Sequence, residues 1–171
     1  AGTVRGGIVN LPGAITNNAA VQLYQDSSGT YAGSVSGTGQ LTKSGSGVVS
    51  FTGMNFYTGG TTITTATLQV GAGGTAGSIA GPVVNNGALV FNRAGALTYS
   101  GAISGSGTVV KMGPGDLTLS GVNLYSGPTN LSGGVLSFSN LGNLGTGTAV
   151  NFDGGTLRYA GVNTADISTR T

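Results

Sequence analysis

The chain repeats itself at a fixed interval, which is the distance from Gly37 to Gly105, and no gap is needed to align the copies. The segment GTGQLTKSGSGVVSFTGMNFYTG begins at Gly37, and GSGTVVKMGPGDLTLSGVNLYSG begins at Gly105. The same shift aligns positions outside these segments, including Tyr31 with Tyr99, Leu68 with Leu136 and Leu89 with Leu157. A constant period without insertions indicates a repeat architecture.

Within each unit, apolar residues recur at every second position. Leu117 and Leu119 alternate with polar residues in DLTLS, and Leu136 and Phe138 do so in GVLSFS. Gly, Asn, Asp or Pro interrupts these segments about every ten residues, as strand-ending turns require. The pattern predicts short β-strands with one apolar face. The abundance of Gly, Thr, Ser and Val also disfavours helices.

The repeat, at about 68 residues, is too long for one coil of a solenoid, but it divides into three coils of about 23 residues. We therefore predict an all-β parallel β-solenoid of about seven coils, each of which buries its apolar face against its neighbours. One domain would span residues 1–171, with a half unit at 1–32 and full units at 33–100 and 101–168. An antiparallel β-sandwich is the alternative, but it does not require a gapless repeat.

Glycine is expected to form the corners of the coils. The chain has 35 Gly residues, and pairs such as Gly45 with Gly113 and Gly47 with Gly115 recur at the repeat interval. Sharp corners often need a positive φ, which Gly adopts without steric cost. We therefore expect a positive φ at these four positions.

The composition argues against several functions. Cys, His and Glu are absent, so the chain has no disulfide, no thiolate and no imidazole for a metal or for general base catalysis. The net charge is only +2, and the six basic residues are scattered, whereas nucleic-acid binders cluster them. We therefore expect no nucleic-acid binding. No apolar run reaches the length of a membrane helix, so we also expect no direct membrane insertion. No signal peptide is visible.

The acidic residues give no catalytic pair. Asp116 is replaced by Val48 in the sister unit, Asp26 and Asp153 stand in turn-like sequences, and Asp166 has no neighbouring acid. We therefore predict no catalytic, metal-binding or cofactor-binding residues and no cofactor. A polysaccharide-active β-helix enzyme remains as an alternative, because such enzymes need paired carboxylates or Asp clusters that two coils could bring together.

Several polar residues recur with the repeat. An unpaired buried ammonium is costly, so we expect Lys43 and Lys111 to lie after the end of their strands with their heads in water. We expect the amides of Asn55 and Asn123 to bond to the backbone of turns.

The aromatic and threonine positions have ordinary structural explanations. Tyr57 and Tyr125 are expected to pack near the edge of a coil rather than to bind sugar. The run TTITTAT at 61–67 lacks a threonine-rich partner in the sister unit, so strand propensity explains it better than an ordered threonine array.

The chain resembles the autotransporter-associated β-strand repeat, whose pattern is loosely G-x-G-x-L-x-K-x-G-x-G-x-L-x-L-x-G-x-N-x-Y-x-G-x-T. The second copy matches this pattern at Gly105, Gly107, Lys111, Gly113, Gly115, Leu117, Leu119, Gly121, Asn123, Tyr125, Gly127 and Thr129. The first copy matches it at Gly37, Gly39, Lys43, Gly45, Gly47, Gly53, Asn55, Tyr57, Gly59 and Thr61, with Val49 and Phe51 at the two Leu positions. The resemblance covers nearly all of residues 33–171 and is weaker over 1–32.

The resemblance implies a right-handed parallel β-helix, a passenger exported to the bacterial surface. Such passengers usually precede an outer-membrane barrel, so we expect this chain to be a fragment, a processed piece or a stand-alone derivative. The family has no common catalytic residues. We expect an extracellular or outer-membrane-surface stalk or adhesin, with a glycan or host surface as a partner. Because no charged cap is visible at either end, end-to-end assembly into an extracellular filament is the alternative function.

Overall fold

A computed structural model describes residues 3–6, 8, 11, 13–162, 167, 168 and 170 of the chain. Nineteen short strands in the described part form a parallel β-solenoid in which successive coils stack. Every pair of described strands is parallel. The solenoid prediction is confirmed, and the antiparallel sandwich is wrong.

The coils have three sides. Sheet 1 contains β1 (Thr3–Gly6), β3 (Ala20–Tyr24), β6 (Gln40–Ser44), β8 (Thr61–Ile63), β10 (Val83–Asn85) and β13 (Ile103–Ser104). Sheet 2 contains β4 (Gly29–Tyr31), β7 (Val48–Phe51), β9 (Thr67–Val70), β11 (Ala88–Asn92), β14 (Thr108–Met112), β16 (Thr129–Leu131) and β18 (Val150–Phe152).

The third side lies between sheet 2 of one coil and sheet 1 of the next. It begins with the pair β2 (Ala14–Thr16) and β5 (Ser34–Ser36). It ends with sheet 3, which contains β12 (Leu97–Tyr99), β15 (Asp116–Leu119), β17 (Val135–Phe138) and β19 (Thr156–Tyr159). The seven stacked strands of sheet 2 match the predicted number of about seven coils.

The coils are shorter than the sequence suggested. On sheet 1, Thr61 pairs with Leu41 of the preceding coil and with Val83 of the following coil. Hydrogen bonds that join adjacent coils commonly span 20 residues, as they do between Val35 and Asn55. The predicted coil of about 23 residues is therefore wrong, and three coils do not fill one repeat unit.

Because of this mismatch, repeat-equivalent residues lie on different sides of the solenoid. Each repeat unit contains three coils and a remainder, which carries the chain to the next side. Val35 on the third side corresponds to Ile103 on sheet 1, and Val49 on sheet 2 corresponds to Leu117 on sheet 3. Each copy of the repeat is thus turned by one side, or about a third of a coil, relative to the previous copy.

The core is a continuous column of inward-facing side chains. On sheet 2, Val49, Leu68, Leu89 and Val109 follow one another in register, and all four are fully buried. Each coil covers the apolar side chains of its neighbour, and burial of such a side chain contributes about 1.5–3 kcal/mol. This stacking explains how a chain without disulfides holds its shape.

The glycine corners have two physical causes. Gly45 and Gly113 have φ values of 80° and 77°, so the predicted positive φ is confirmed there. Gly47 and Gly115 do not have a positive φ, and that prediction is wrong. At Gly47 the carbonyl of Ser27 in the preceding coil occupies the space that a Cβ would need. Glycine at this position allows close approach of two coils.

A 3₁₀ turn, Leu141–Leu144, replaces the strand of sheet 1 in the last described coil. No helix in the described part of the chain is long and apolar enough to cross a membrane.

Candidate functional site

The two repeated lysines are inside the solenoid. Lys43 lies within β6 and Lys111 within β14, and both side chains are buried. The register neighbours of Lys43 are apolar, with Leu23 on one side and Ile63 on the other. The prediction that the strands end before these lysines and that their heads lie in water is therefore wrong.

The lysine heads are bound by backbone carbonyls at the corners. Lys111 Nζ donates to the carbonyls of Met112 at 3.1 Å, Gly113 at 2.8 Å and Gly133 at 3.0 Å. Gly133 belongs to the following coil, so this ammonium joins two coils. The positive φ of Gly113 helps the chain to turn at the site of these carbonyls.

Lys43 makes the corresponding contacts within its own coil. Its Nζ donates to the carbonyls of Ser44 at 2.7 Å and Gly45 at 3.1 Å. Burial lowers the pKa of Lys43, and the charge of Asp26 opposes this shift. Burial likewise lowers the pKa of Lys111, opposed by Asp116. The corner carbonyls satisfy these ammonium groups, so the lysines stabilise the corners rather than bind another molecule.

The repeated asparagines join successive coils. Asn55 Oδ1 accepts the N–H of Val35 at 2.8 Å, and its Nδ2 donates to the carbonyl of Ser78 at 2.8 Å. Asn123 accepts the N–H of Ile103 at 2.8 Å and donates to the carbonyl of Asn143. The prediction that these amides bond to the backbone is confirmed. Each amide also reaches the coils on both sides of its own.

A second asparagine pair was not singled out from the sequence. Asn17 and Asn85 are also related by the repeat and buried, and each accepts a backbone N–H from two positions later at 3.2 Å. Their Nδ2 groups donate at 2.9 Å to the carbonyls of Gln40 and Thr108. The exact recurrence of Asn17-Asn18 as Asn85-Asn86 was the signal that could have found them.

The repeated tyrosines are structural. Tyr57 and Tyr125 are fully buried, and the hydroxyl of each is hydrogen-bonded to a nearby threonine, at 2.5 Å for Thr61 and 2.7 Å for Thr129. They were predicted to pack near the edge of a coil, but they lie inside it. Burial raises the pKa of both phenols.

The described aspartates lie in three different segments of the chain. Asp116 pairs with Arg158 at 3.0 Å, and Asp153 lies in the bend after β18. Asp26 lies in a bend after β3, and Asp166 falls outside the described residues. The described residues contain no group of three acidic side chains that could hold a metal ion.

Two arginines bind carbonyls at irregular parts of the coils. Arg93 donates to Thr75 and Gly77 in the 71–82 segment, which lengthens its coil. Arg170 donates to the carbonyls of Leu141 at 3.2 Å and Gly145 at 2.9 Å beside the 3₁₀ turn. Neither role could be foreseen from the sequence, because neither arginine belongs to the repeat pattern.

The most distinctive exposed polar surface is the corner between sheets 1 and 2. Tyr24 is 61% exposed at this corner and is in register with Ser44 of the next coil. Asp26 Oδ1 accepts the N–H of Ser46 at 3.0 Å and lies 3.3 Å from Ser46 Oγ. The neighbouring carboxylate of Asp26 raises the pKa of the Tyr24 phenol.

The threonine run continues this corner but does not form a regular array. Thr61 lies in β8 and Thr67 in β9, so a corner interrupts the run. The hydroxyl of Thr64 donates to the carbonyl of Lys43 at 3.0 Å, and that of Thr65 donates to Gly45 at 3.3 Å. These hydroxyls link coils as well as facing solvent.

Comparison with known proteins finds a family model that matches the repeat. Residues 41–70 and 109–138 each match the family model described as the passenger-associated-transport-repeat. The chain is also similar to the adhesin BmaC autotransporter of Brucella suis biovar 1 (strain 1330), with 46% identity over 30% of this chain and 2% of the adhesin. The match therefore spans only a small part of that relative. No solved structure matches the chain. Two segments of the chain thus match the passenger-associated-transport-repeat, and both lie within a parallel β-solenoid.

Proposed function

We propose that this chain is a rigid segment of a secreted or surface-exposed bacterial autotransporter-like protein and acts there as a stalk or adhesin. The observation that carries the proposal is the stacking of seven strands in sheet 2 around one continuous apolar core. Hydrogen-bonded lysine and asparagine side chains stabilise the corners and join the coils. The passenger-type repeats and the similarity to an autotransporter adhesin support an extracellular location.

Limited proteolysis tests the rigid-segment part of the proposal. Lys43 and Lys111 are trypsin sites by sequence, but both are buried in strands. The native chain should resist cleavage at both lysines, and mild denaturant should make both accessible together. Rapid cleavage at either lysine in native buffer would contradict the proposal.

Surface binding tests the choice between stalk and adhesin. Beads coated with the purified chain should bind host cells or an extracellular matrix if the segment is adhesive. A spacer would leave such beads as inert as beads coated with albumin. Resistance to trypsin without any surface binding would support the stalk role and contradict the adhesin role.

Filament assembly is the second candidate function, and the last coil favours it. β18 and β19 are edge strands of the described sheets. A cavity of about 180 Å³ beside them is lined by Phe138, Phe152, Leu157, Tyr159 and Ile167. An edge with unpaired backbone groups can accept another strand. Light scattering and negative-stain images at high concentration should show rods that lengthen by addition of whole molecules, and dispersed monomers would contradict this candidate.

We also propose that the chain is not an enzyme. The described residues contain no group of three acidic side chains, and Asp116 is paired with Arg158. Incubation with pectins, alginates and host glycans should give no turnover. Turnover that Asp116→Asn or Asp153→Asn abolishes would overturn the proposal.

A further inference from the structure

We propose that the corner formed by Tyr24, Asp26, Ser44, Ser46 and Thr64 is a binding site for a neutral saccharide. The inference rests on the adhesive part of the proposed function and names the ligand class. The corner spans three successive coils, so one extended ligand could contact all three.

The corner offers an exposed aromatic ring beside hydrogen-bonding groups. Tyr24 is in register with the half-buried Ser44, whose hydroxyl donates to the carbonyl of Leu23 at 3.4 Å and keeps its oxygen as an acceptor. Thr64 follows in the next coil and is exposed. A sugar ring presents an apolar C–H face and a rim of hydroxyls, so it can stack on an aromatic face while its rim bonds to polar neighbours.

The polar groups are held in place before any ligand arrives. Asp26 Oδ1 accepts the backbone N–H of Ser46 at 3.0 Å, and Ser46 Oγ donates to the carbonyl of Asp26 at 3.3 Å. This N–H hydrogen bond is the main reason why the pKa of Asp26 is lowered, so the carboxylate is an ionised acceptor. A fixed acceptor beside an exposed ring reduces the entropy cost of binding.

The repeat itself does not require this chemistry. The sister positions of Tyr24, Asp26 and Ser46 are Asn92, Ala94 and Pro114, and the second unit forms its coils with those residues. Gly115 N still donates to the carbonyl of Arg93 at 2.9 Å, as Gly47 N donates to Gln25 at 2.8 Å. The Tyr24 corner is therefore an addition to the common framework.

The charges favour a neutral ligand over an ion. Asp26 would repel an anion, and the nearby ammonium of Lys43 is bound by corner carbonyls. A calcium ion takes six to eight oxygen ligands, usually with several carboxylates, and this corner has one. A shallow corner rich in hydroxyls also lacks the apolar centre typical of a protein interface.

The experiment uses the full chain on a printed array of neutral hexose and N-acetylhexosamine oligosaccharides, with sialylated and sulfated glycans on the same slide. We expect binding to a subset of the neutral glycans. Titration calorimetry with the best of them should show that Tyr24→Ala weakens binding by about tenfold or more. Tyr24→Phe keeps the ring and should lose less affinity, whereas Asp26→Asn should reduce binding without removing the ring contact.

Asn92→Ala is the matched control, because it changes the sister position on another corner. It should leave glycan affinity unchanged, and thermal unfolding should show that all variants fold. The proposal is overturned if no neutral glycan binds, if only charged glycans bind, or if folded Tyr24→Ala binds as well as the native chain. Cell binding that survives Tyr24→Ala would point to a protein ligand, which leaves the adhesin role intact and overturns this site.

Discussion

Lys43 and Lys111 occupy the same position of the sequence repeat, yet they lie on different sides of the solenoid. Lys43 is on β6 of sheet 1, and Lys111 is on β14 of sheet 2. Both heads are nevertheless bound by carbonyls just after their own residue. The two copies of the repeat therefore form the same local corner, but the second corner lies one side further around the solenoid axis.

The ammonium contacts should be measurable in stability. Lys111→Met keeps an unbranched apolar stem but removes the donor for the carbonyls of Met112, Gly113 and Gly133. We expect the free energy of unfolding to fall by about 1–3 kcal/mol, because partly buried carbonyls lose their donor. Denaturant unfolding at neutral pH measures this change.

Lys43→Met provides the comparison. Lys43 binds two carbonyls, and both belong to its own coil. The loss should be smaller than for Lys111→Met. If both methionine variants are as stable as the native chain, the hydrogen bonds of the lysines do not stabilise the corners.

The coil-bridging asparagines should matter more than exposed ones. Asn123→Ala leaves the buried N–H of Ile103 without its acceptor, so we expect a loss of about 1–3 kcal/mol in unfolding free energy. Asn151→Ala removes an exposed amide that donates to Asn130 at 2.8 Å, and the change should stay within about 0.5 kcal/mol. Equal losses in the two variants would argue against bridging by Asn123.

Alkaline pH should destabilise the fold through its buried tyrosines. Burial raises the pKa of Tyr57, Tyr99 and Tyr125 above the ordinary value of 10.0. Above pH 10 the unfolded chain loses these phenolic protons while the folded chain keeps them, so stability present below pH 10 is lost as pH rises. Each such tyrosine should contribute a slope of up to about 1.4 kcal/mol per pH unit.

The buried lysines act in the opposite direction. Their pKa values are lowered in the fold, so between those values and 10.5 the unfolded chain binds more protons, and stability rises with pH.

Absorbance at 295 nm should show that Tyr57, Tyr99 and Tyr125 ionise only as the chain unfolds. A native chain in which all tyrosines ionise near pH 10 would contradict the burial.

The ion pair between Asp116 and Arg158 should contribute little. The two side chains are 41% and 52% exposed, so solvent screens their attraction. We expect Asp116→Asn to cost less than about 1 kcal/mol, and high salt should remove most of the difference. A larger loss that salt does not reduce would indicate a structural role beyond charge pairing.

The sequence revealed the architecture through its period but not the length of a coil. Alternation in VVSF and DLTL identifies strands β7 and β15, yet it does not say how far apart in sequence two stacked strands lie. Division of the repeat into three equal coils fails, because a repeat need not contain a whole number of coils. The corner between β8 and β9 also lacks a glycine, so the run at 61–67 conceals it.

The candidate site was partly visible in the sequence. The bond from the amide of Asn55 to the backbone followed from its place in a recurring turn motif. The inward position of Lys43 was missed because the cost of a buried ammonium depends on carbonyls that only the folded corner presents. Tyr24 was not identified, and Asp26 was predicted only as a turn residue, because both lie in the half unit, where the repeat pattern is weak.

Disulfide trapping tests the central claim that the coils stack in parallel in the observed register. The native chain has no cysteine, so an engineered pair has a clean background. Thr42 and Thr62 are register partners on sheet 1, and adjacent strands bring Cα atoms within disulfide range. The variant Thr42→Cys with Thr62→Cys should oxidise to an intramolecular disulfide in the folded state, whereas Thr42→Cys with Thr65→Cys, which matches the longer coil, should not. Rapid closure of the second pair, with none in the first, would contradict the account.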